Sequence, residues 1–438
     1  MCGITGIYDK DNDDNNLSYL LISLKHIQHR GKDSCGISYG SDNSKIKTLK
    51  DKGTVHNVFG NRNMEGNVKQ CIGHVRYTTS TANSNSNSNF NEIQPISNST
   101  LSLVHNGNIP NIKGHDTSFI FNLLEKSNDI VDTLININNN IPASYCFIIL
   151  NGGNMYVMRD KYGIRPLSYG FKGNKIIISS ETIGLVGCTN IKQVNSGELL
   201  KINDTGIKTI YRNKDSVDGI CSFELIYFMN PCSIYNNMLI KEYRIKLGEI
   251  LASKNDLILD DEYIVIGIPN SGIDAAKAYS SKLNIEYSQS INKNNLRNEG
   301  RTFILKTNEE RIKACNKFIY DTNKIKNKKV IVIDDTIVRG NVIRAIVTKI
   351  KEIGVKELHI RIPSPPVIDI CQLGIAINSK KELIMNNKNI SEVSALLGVN
   401  SMQFLDLDNL SFFPEKSYNE CFGGGIPKEI THNYKLKG

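Results

Sequence analysis

Residues 330–342 read VIVIDDTIVRGNV. Val330 to Ile333 are four β-branched apolar residues in a row, the pattern of a strand buried on both faces. The strand runs into Asp334 and Asp335, and Thr336 to Asn341 turn the chain into a helical pattern at 341–354, NVIRAIVTKIKEIG. In open α/β sheets, ligands bind at the carboxyl ends of the strands. There the backbone amides of such a turn, with a helix N-terminus behind them, form a cradle for a phosphate. Two adjacent carboxylates beside it can accept hydrogen bonds from ribose hydroxyls and attract Mg²⁺, and Gly340 lets the backbone come close. A capped helix start with two surface acids is the plainer reading of a lone Asp-Asp pair. The strand, turn and helix around this one favour the ligand site.

Outward from this stretch the pattern repeats. Strand-like YIVIGIP (263–269) leads to helical DAAKAYSSKL (274–283), and ELHIRIP (357–363) follows the helix after the acidic pair. Strands alternating with helices predict a parallel sheet. The first half reads differently, as a succession of strands: ITGIY, CGISYG, CIGHVRYTT, TLSLVHNG, YCFIIL, MYVMRD and KIIISSE. One helix is predicted in NLSYLLISLKHIQHRG (16–31), where Leu17, Leu20, Leu21, Leu24 and Ile27 share a face and Gly31 supplies a stop. Polar YRNKDSVDGI (211–220) reads as the connection between the halves, and TANSNSNSNFNE (81–92) as a loop within the first.

At 438 residues the chain exceeds what one hydrophobic core usually supports, so two domains are expected. No apolar run approaches the roughly 18 residues of a membrane helix, and no leader pattern follows Met1, which points to the cytoplasm. The net charge of +9 suits phosphate-rich ligands. With no dense basic block, it reads as a lysine-rich solvated surface and not as a nucleic-acid interface. Ten cysteines in such a chain do not imply disulfides.

The chain opens MCGITGIYDK. Removal of Met1 would leave Cys2 with a thiol and a free α-amino group, a nucleophile beside its own base. By itself the opening reads more simply as a small apolar residue at the start of a buried strand.

The 330–342 stretch closely resembles the phosphoribosyl-diphosphate (PRPP) motif of type I phosphoribosyltransferases. The resemblance implies that Asp334 and Asp335 bind the ribose diol and Mg²⁺, and that Thr336, Ile337, Val338, Arg339, Gly340 and Asn341 hold the 5′-phosphate. IPNSGIDAA (268–276) is similar to the pyrophosphate-side loop of these enzymes, with Ser271 at a metal-binding position and Asn270 where an acidic residue is usual. Arg297 and Arg301 lie in INKNNLRNEGRTFI (291–304), expected to bind PRPP and to close over it, with Asn295 where lysine is common.

MCGI, QHRG (28–31), GHVRYTT (73–79), HNGN (105–108) and YGIRPL (162–167) occur in an order that resembles class II glutamine amidotransferases, which are N-terminal-nucleophile (Ntn) hydrolases. Joined to the PRPP motif, and with SSE (179–181) and GRTFI (300–304), nearly the whole chain resembles the amidophosphoribosyltransferase family. The resemblance implies an α+β Ntn-hydrolase αββα sandwich over 2–214. An α/β type I phosphoribosyltransferase domain over 215–408 and a C-terminal tail over 409–438 packing on the interdomain region would follow. The implied activity takes ammonia from glutamine to C1 of PRPP with loss of pyrophosphate, the first committed step of purine biosynthesis.

Roles follow by the same resemblance. Cys2 is the nucleophile, the Asn106 side chain and the Gly107 amide are oxyanion donors, Arg76 meets glutamine's α-carboxylate and Asp116 its α-ammonium. Arg30, at the QHR helix end, belongs to the glutamine site as a residue that orders it, a helix-terminal cation being the simpler account. An α-amino group, with a pKa of about 7.7–8.0, is partly unprotonated near neutrality and can take the thiol proton. Glutamine and PRPP are the implied partners, Mg²⁺ the implied cofactor and a homo-oligomer, commonly a tetramer, the implied assembly; neither nucleic acid nor membrane is expected. Some members hold a [4Fe–4S] cluster through four cysteines. Cys221, Cys371 and Cys421 stand at three matching places and Tyr418 at the fourth, so a cluster is left open. The alternative is a degenerate paralogue, or a regulator of the same fold, that binds PRPP without turnover.

Overall fold

The computed structural model describes residues 2–11, 15–41, 45–62, 64, 68–77, 90–112, 114–294, 318–377, 379–414 and 416–431. All seven residues of the opening strand, Gly3–Asp9, are buried. It runs through a seven-stranded sheet between Lys175–Ser179 and Gln70–Arg76, pairing antiparallel with both. Period-two alternation divides its side chains. Ile4 and Tyr8 enter a core shared with Val104, Ile148 and Met155 of a second, six-stranded sheet. Ile7 packs the other way, against Leu17, Leu20 and Leu24 of helix Asn16–His26. The outer face of the second sheet is covered by Asp116–Glu125 and Ile130–Asn140, whose Phe121 and Leu134 pack on Phe147 and Ile149. The first half is therefore the expected αββα sandwich. These last two helices are missing from the strand-dominated reading of the sequence, because an asparagine-rich outer face (IVDTLININNN) reads as loop until Leu134 and Ile137 find a sheet to cover.

In the second half five strands run parallel, in the spatial order Glu286–Tyr287, Tyr263–Gly267, Lys329–Ile333, Glu357–Ile362, Ser401–Phe404. Val265, Ile331 and Ile333 pack toward Leu247 of helix Ile240–Ser253 and Ala276 of helix Ile273–Leu283. Ile264, Val330 and Val332 pack toward Ile343 and Ile346 of helix Asn341–Ile353 and Val393 of helix Ile390–Leu397. This is a doubly wound sheet, and it explains the uninterrupted apolar run of Val330–Ile333: every side chain has a helix to meet. Near the C-terminus, Lys416–Tyr418 adds a parallel strand to Gly219–Cys221. Among the described residues no helix is long and apolar enough to cross a membrane.

Candidate active site

Cys2 sits one residue before the opening strand and is partly exposed. Its backbone nitrogen donates to Asn106 Oδ1 at 3.2 Å. Asn106 and Gly107 lie on strand Leu101–Asn108, and Asn106 Nδ2 is buried with no hydrogen-bond partner among the described residues. A buried donor left unpaired in this way costs about 1–3 kcal/mol, which a bound acceptor would recover. Gly107 is set by close approach: a Cβ there would lie 2.0 Å from the Ser144 carbonyl oxygen. Arg76 ends the strand antiparallel to Gly3–Asp9, with Nη2 on Glu92 at 2.7 Å and Nη1 buried without a partner among the described residues. Asp116 opens its helix and accepts from the Thr117 and Ile109 amides at 2.7 and 3.3 Å. Burial holds the His115 imidazole below its usual range, and Asp116, Arg76, Glu92 and His105 all act on it electrostatically. The strand ends and the helix start thus bring a thiol, a free amide donor, a guanidinium and a carboxylate to one edge of the sandwich.

Arg30, expected with the glutamine site as a residue that orders it, does not itself face a ligand. Its guanidinium is wholly buried and engaged at all three nitrogens: Nε donates to the Cys2 carbonyl at 2.8 Å, Nη1 to Glu181 at 2.5 Å, and Nη1 and Nη2 to Glu224 at 3.1 and 2.8 Å. With every nitrogen engaged and the side chain fully buried, Arg30 stands behind Cys2 and not against a ligand. Glu181, also fully buried, accepts from His29 at 2.8 Å, from the Asn230 amide at 2.8 Å and from Ser233 at 2.7 Å. Burial alone would raise the Glu181 carboxyl, but His29 and Arg30 hold it well below the usual range. A depressed acid adds stability that is complete above its unfolded pKa of about 4.3 and is lost as pH falls toward the folded value. Glu181→Gln should therefore cost about 3–5 kcal/mol near neutrality and somewhat less near pH 3, where the loss has begun but is not complete. Denaturant unfolding at both pH values checks this; an equal loss at each would refute it.

In the other half, strands Tyr263–Gly267 and Lys329–Ile333 end side by side, Gly267 opposite Ile333. Asp334 and Asp335 follow one and the Ile268–Gly272 turn follows the other. The turn is pinned to the acidic strand end: Ile268 N donates to the Ile333 carbonyl at 2.8 Å, and a Cβ on Gly272 would lie 2.6 Å from that oxygen. Ser271 is in this turn. Burial first, and the Asp335 charge second, push the Asp334 carboxyl well above its usual range. A divalent cation would relieve both effects, so the pair fits Mg²⁺, which is typically held by one or two carboxylates plus substrate phosphates. Thr336 Oγ1 donates to Asp335 at 2.7 Å, and Gly340 has φ +76° against the Ile384 side chain as the chain enters the helix. Ile337 and Val338 are buried, while Arg339 turns aside to Glu382 at 2.6 Å and the Ala376 carbonyl at 3.2 Å. What the turn offers a ligand is thus backbone, with Asn341 at the first helical position. Asn295, Arg297 and Arg301 lie outside the described residues.

Residues 235–363 match the phosphoribosyl transferase domain family. The chain is 33% identical to the amidophosphoribosyltransferase of Methanothermobacter thermautotrophicus, over 93% of this chain and 90% of that protein. The chain belongs to the amidophosphoribosyltransferase family. The amidophosphoribosyltransferase of Bacillus subtilis is 32% identical over 99% and 96% of the two chains. Among solved structures, the glutamine PRPP amidotransferase from B. subtilis complexed with ADP and GMP superposes with a TM-score of 0.85 at 30% identity, covering 99% of each chain.

Cys221, Cys371 and Cys421 come near enough for Cys371 and Cys221 to help raise the Cys421 thiol, after burial. A four-thiolate cluster does not fit them. Tyr418 fills the fourth place and donates to the Tyr162 carbonyl at 3.1 Å, its ring against Gly219. Among the described residues, no three His, Cys, Asp or Glu side chains form a group that could hold a metal. Sequence reasoning missed Glu92, Glu224 and the Asn108–Gln372 contact, where Asn108 Nδ2 donates to the Gln372 carbonyl at 2.8 Å. Only Glu181 carried a signal, in the SSE run.

Proposed function

We propose that the chain transfers ammonia from glutamine to C1 of PRPP, releasing pyrophosphate and giving 5-phosphoribosylamine and glutamate, the first step of purine synthesis. The observation that carries this is Cys2 nitrogen on Asn106 with the Asn106 amide donor free, in the same chain as the paired-acid strand end. Once Met1 is removed, the Cys2 nitrogen is an amine that takes the thiol proton, and the thiolate attacks the glutamine carboxamide carbon. Asn106 Nδ2 and the Gly107 amide receive the negative oxygen, Arg76 Nη1 the α-carboxylate and Asp116 the α-ammonium. Collapse breaks the C–N bond, the protonated amine returns its proton to the leaving nitrogen, and water then hydrolyses the thioester to glutamate.

Asp334 and Asp335 hold the ribose diol, and the Thr336–Asn341 amides hold the 5′-phosphate. Mg²⁺ bound through Asp334, Asp335 and Ser271 would neutralise the departing pyrophosphate. Their negative charge also favours the oxocarbenium-like carbon that ammonia attacks. Ammonia released to water at neutral pH would mostly become ammonium, so the two sites work together inside one protein. We assign the sandwich to 2–214, the transferase domain to 215–408 and the tail to 409–438. The assembly we propose is a cytoplasmic homo-oligomer.

The test is one assay: glutamate and pyrophosphate formation from glutamine, PRPP and Mg²⁺. The expected result is equal yields of the two, with glutamate release stimulated by PRPP. Tight PRPP binding with neither product would instead support the non-catalytic paralogue.

A further inference from the structure

Arg30, Arg165, Glu181 and Glu224 form a cluster of two cations and two anions, every side chain fully buried. Three members, Arg30, Arg165 and Glu181, belong to the first half, but Glu224 follows the Gly219–Cys221 strand at the start of the other half. Buried charges are costly to keep, and apolar side chains would join two domains more cheaply. The geometry indicates what the charges do. Glu224 takes both Nη1 and Nη2 of Arg30, which fixes the plane of the guanidinium, while Glu181 touches Nη1 alone. A guanidinium is a rigid fork, so fixing that plane fixes where Nε points. It points at the carbonyl of Cys2, at 2.8 Å. Without Glu224, Arg30 keeps a single carboxylate contact, Nη1 on Glu181, and loses the two-point contact that sets its plane. Arg165 closes the arrangement from the far side, with Nη1 3.4 Å from Glu224 and Nη2 on the Leu373 carbonyl.

We propose that Glu224, a side chain of the transferase half, is a positioning residue for the glutamine reaction: it orients Arg30, whose Nε holds the Cys2 carbonyl and so keeps Cys2 against Asn106. The proposal rests on the reading of Cys2 as the nucleophile. The Cys2 thiol is then held in working geometry by the domain that uses the ammonia.

The test is Glu224→Gln in the full-length protein, assayed with glutamine and, separately, with ammonia as nitrogen donor. The expected result is a fall in glutamine-dependent kcat of about 100-fold, the scale of a 1 Å misplacement. KM for glutamine should stay within about threefold and ammonia-dependent kcat within about twofold. Carbamidomethylation of Cys2 by iodoacetamide, read by peptide mass, should slow alongside. If the variant does not fold, Arg165→Met/Glu224→Gln, which removes one charge of each sign, is measured in its place with the same expectations. Glutamine kcat within about twofold of the parent, or loss of both donors' activities in parallel, overturns the proposal. Retention of glutamine use by Cys2→Ala would overturn the reading beneath it, a separate outcome.

Discussion

Cys2→Ala should abolish glutamine-dependent synthesis, by a factor on the order of 10⁴ or more, while synthesis from added ammonia persists. The size follows from covalent catalysis: without sulfur there is no thioester, and the free Asn106 donor and Arg76 bind a substrate that nothing attacks. The separation of the two donors follows from distance in the fold. Cys2 immediately precedes a strand of the antiparallel sandwich, whereas the acidic pair immediately follows a strand of the parallel sheet. Both activities are read in a coupled assay for the phosphoribosylamine product. Intact mass supplies the companion check. Cys2 nitrogen is a base only as an amine, so active preparations must lack Met1, and an active preparation that retains it would refute the mechanism.

Asp335→Asn should act in the opposite sense. Removing a preorganised charge from where positive charge develops typically costs about 10²–10³ in kcat, and phosphoribosyl transfer should fall by that much with either nitrogen donor. The fold should survive, because an asparagine oxygen can still accept the Thr336 hydroxyl that Asp335 accepts at 2.7 Å. Basal hydrolysis of glutamine should stay measurable. A second consequence is electrostatic: after burial, the Asp335 charge is the largest cause raising the Asp334 carboxyl, so the substitution should bring Asp334 down. Mg²⁺-dependent PRPP binding, followed by calorimetry, is expected to weaken with the loss of one carboxylate. Unchanged transfer kinetics would remove the paired acids from the mechanism.

The fold was legible where packing is local. VIVI followed by a turn and an amphipathic helix can hardly be anything but a central parallel strand, since each of its side chains must be covered. ITGIY likewise read as a strand, and in the fold Ile4 and Tyr8 face one layer while Ile7 faces the other. Less legible were Asp116–Glu125, with as many polar as apolar residues, and Ile130–Asn140, where polar residues outnumber the apolar ones.

The candidate site divides along the same line. Residue types and their order pointed to a thiol at the amino end, an Asn-Gly donor pair and an acid pair ahead of a helix, because those chemistries need particular atoms at particular chain positions. What Arg30 does could not be read that way: its partners Glu181 and Glu224 are 151 and 194 residues distant in the chain. The engagement of Arg339 with Glu382, and of the Tyr418 hydroxyl with Tyr162, are contacts of the same kind. The sequence alone therefore determined the two chemistries and the two sheet types, which depend on short-range pattern. Only the tertiary structure decided which charged side chains face ligand and which are consumed inside the protein, because a buried guanidinium goes to whichever carboxylate the folded backbone brings within reach.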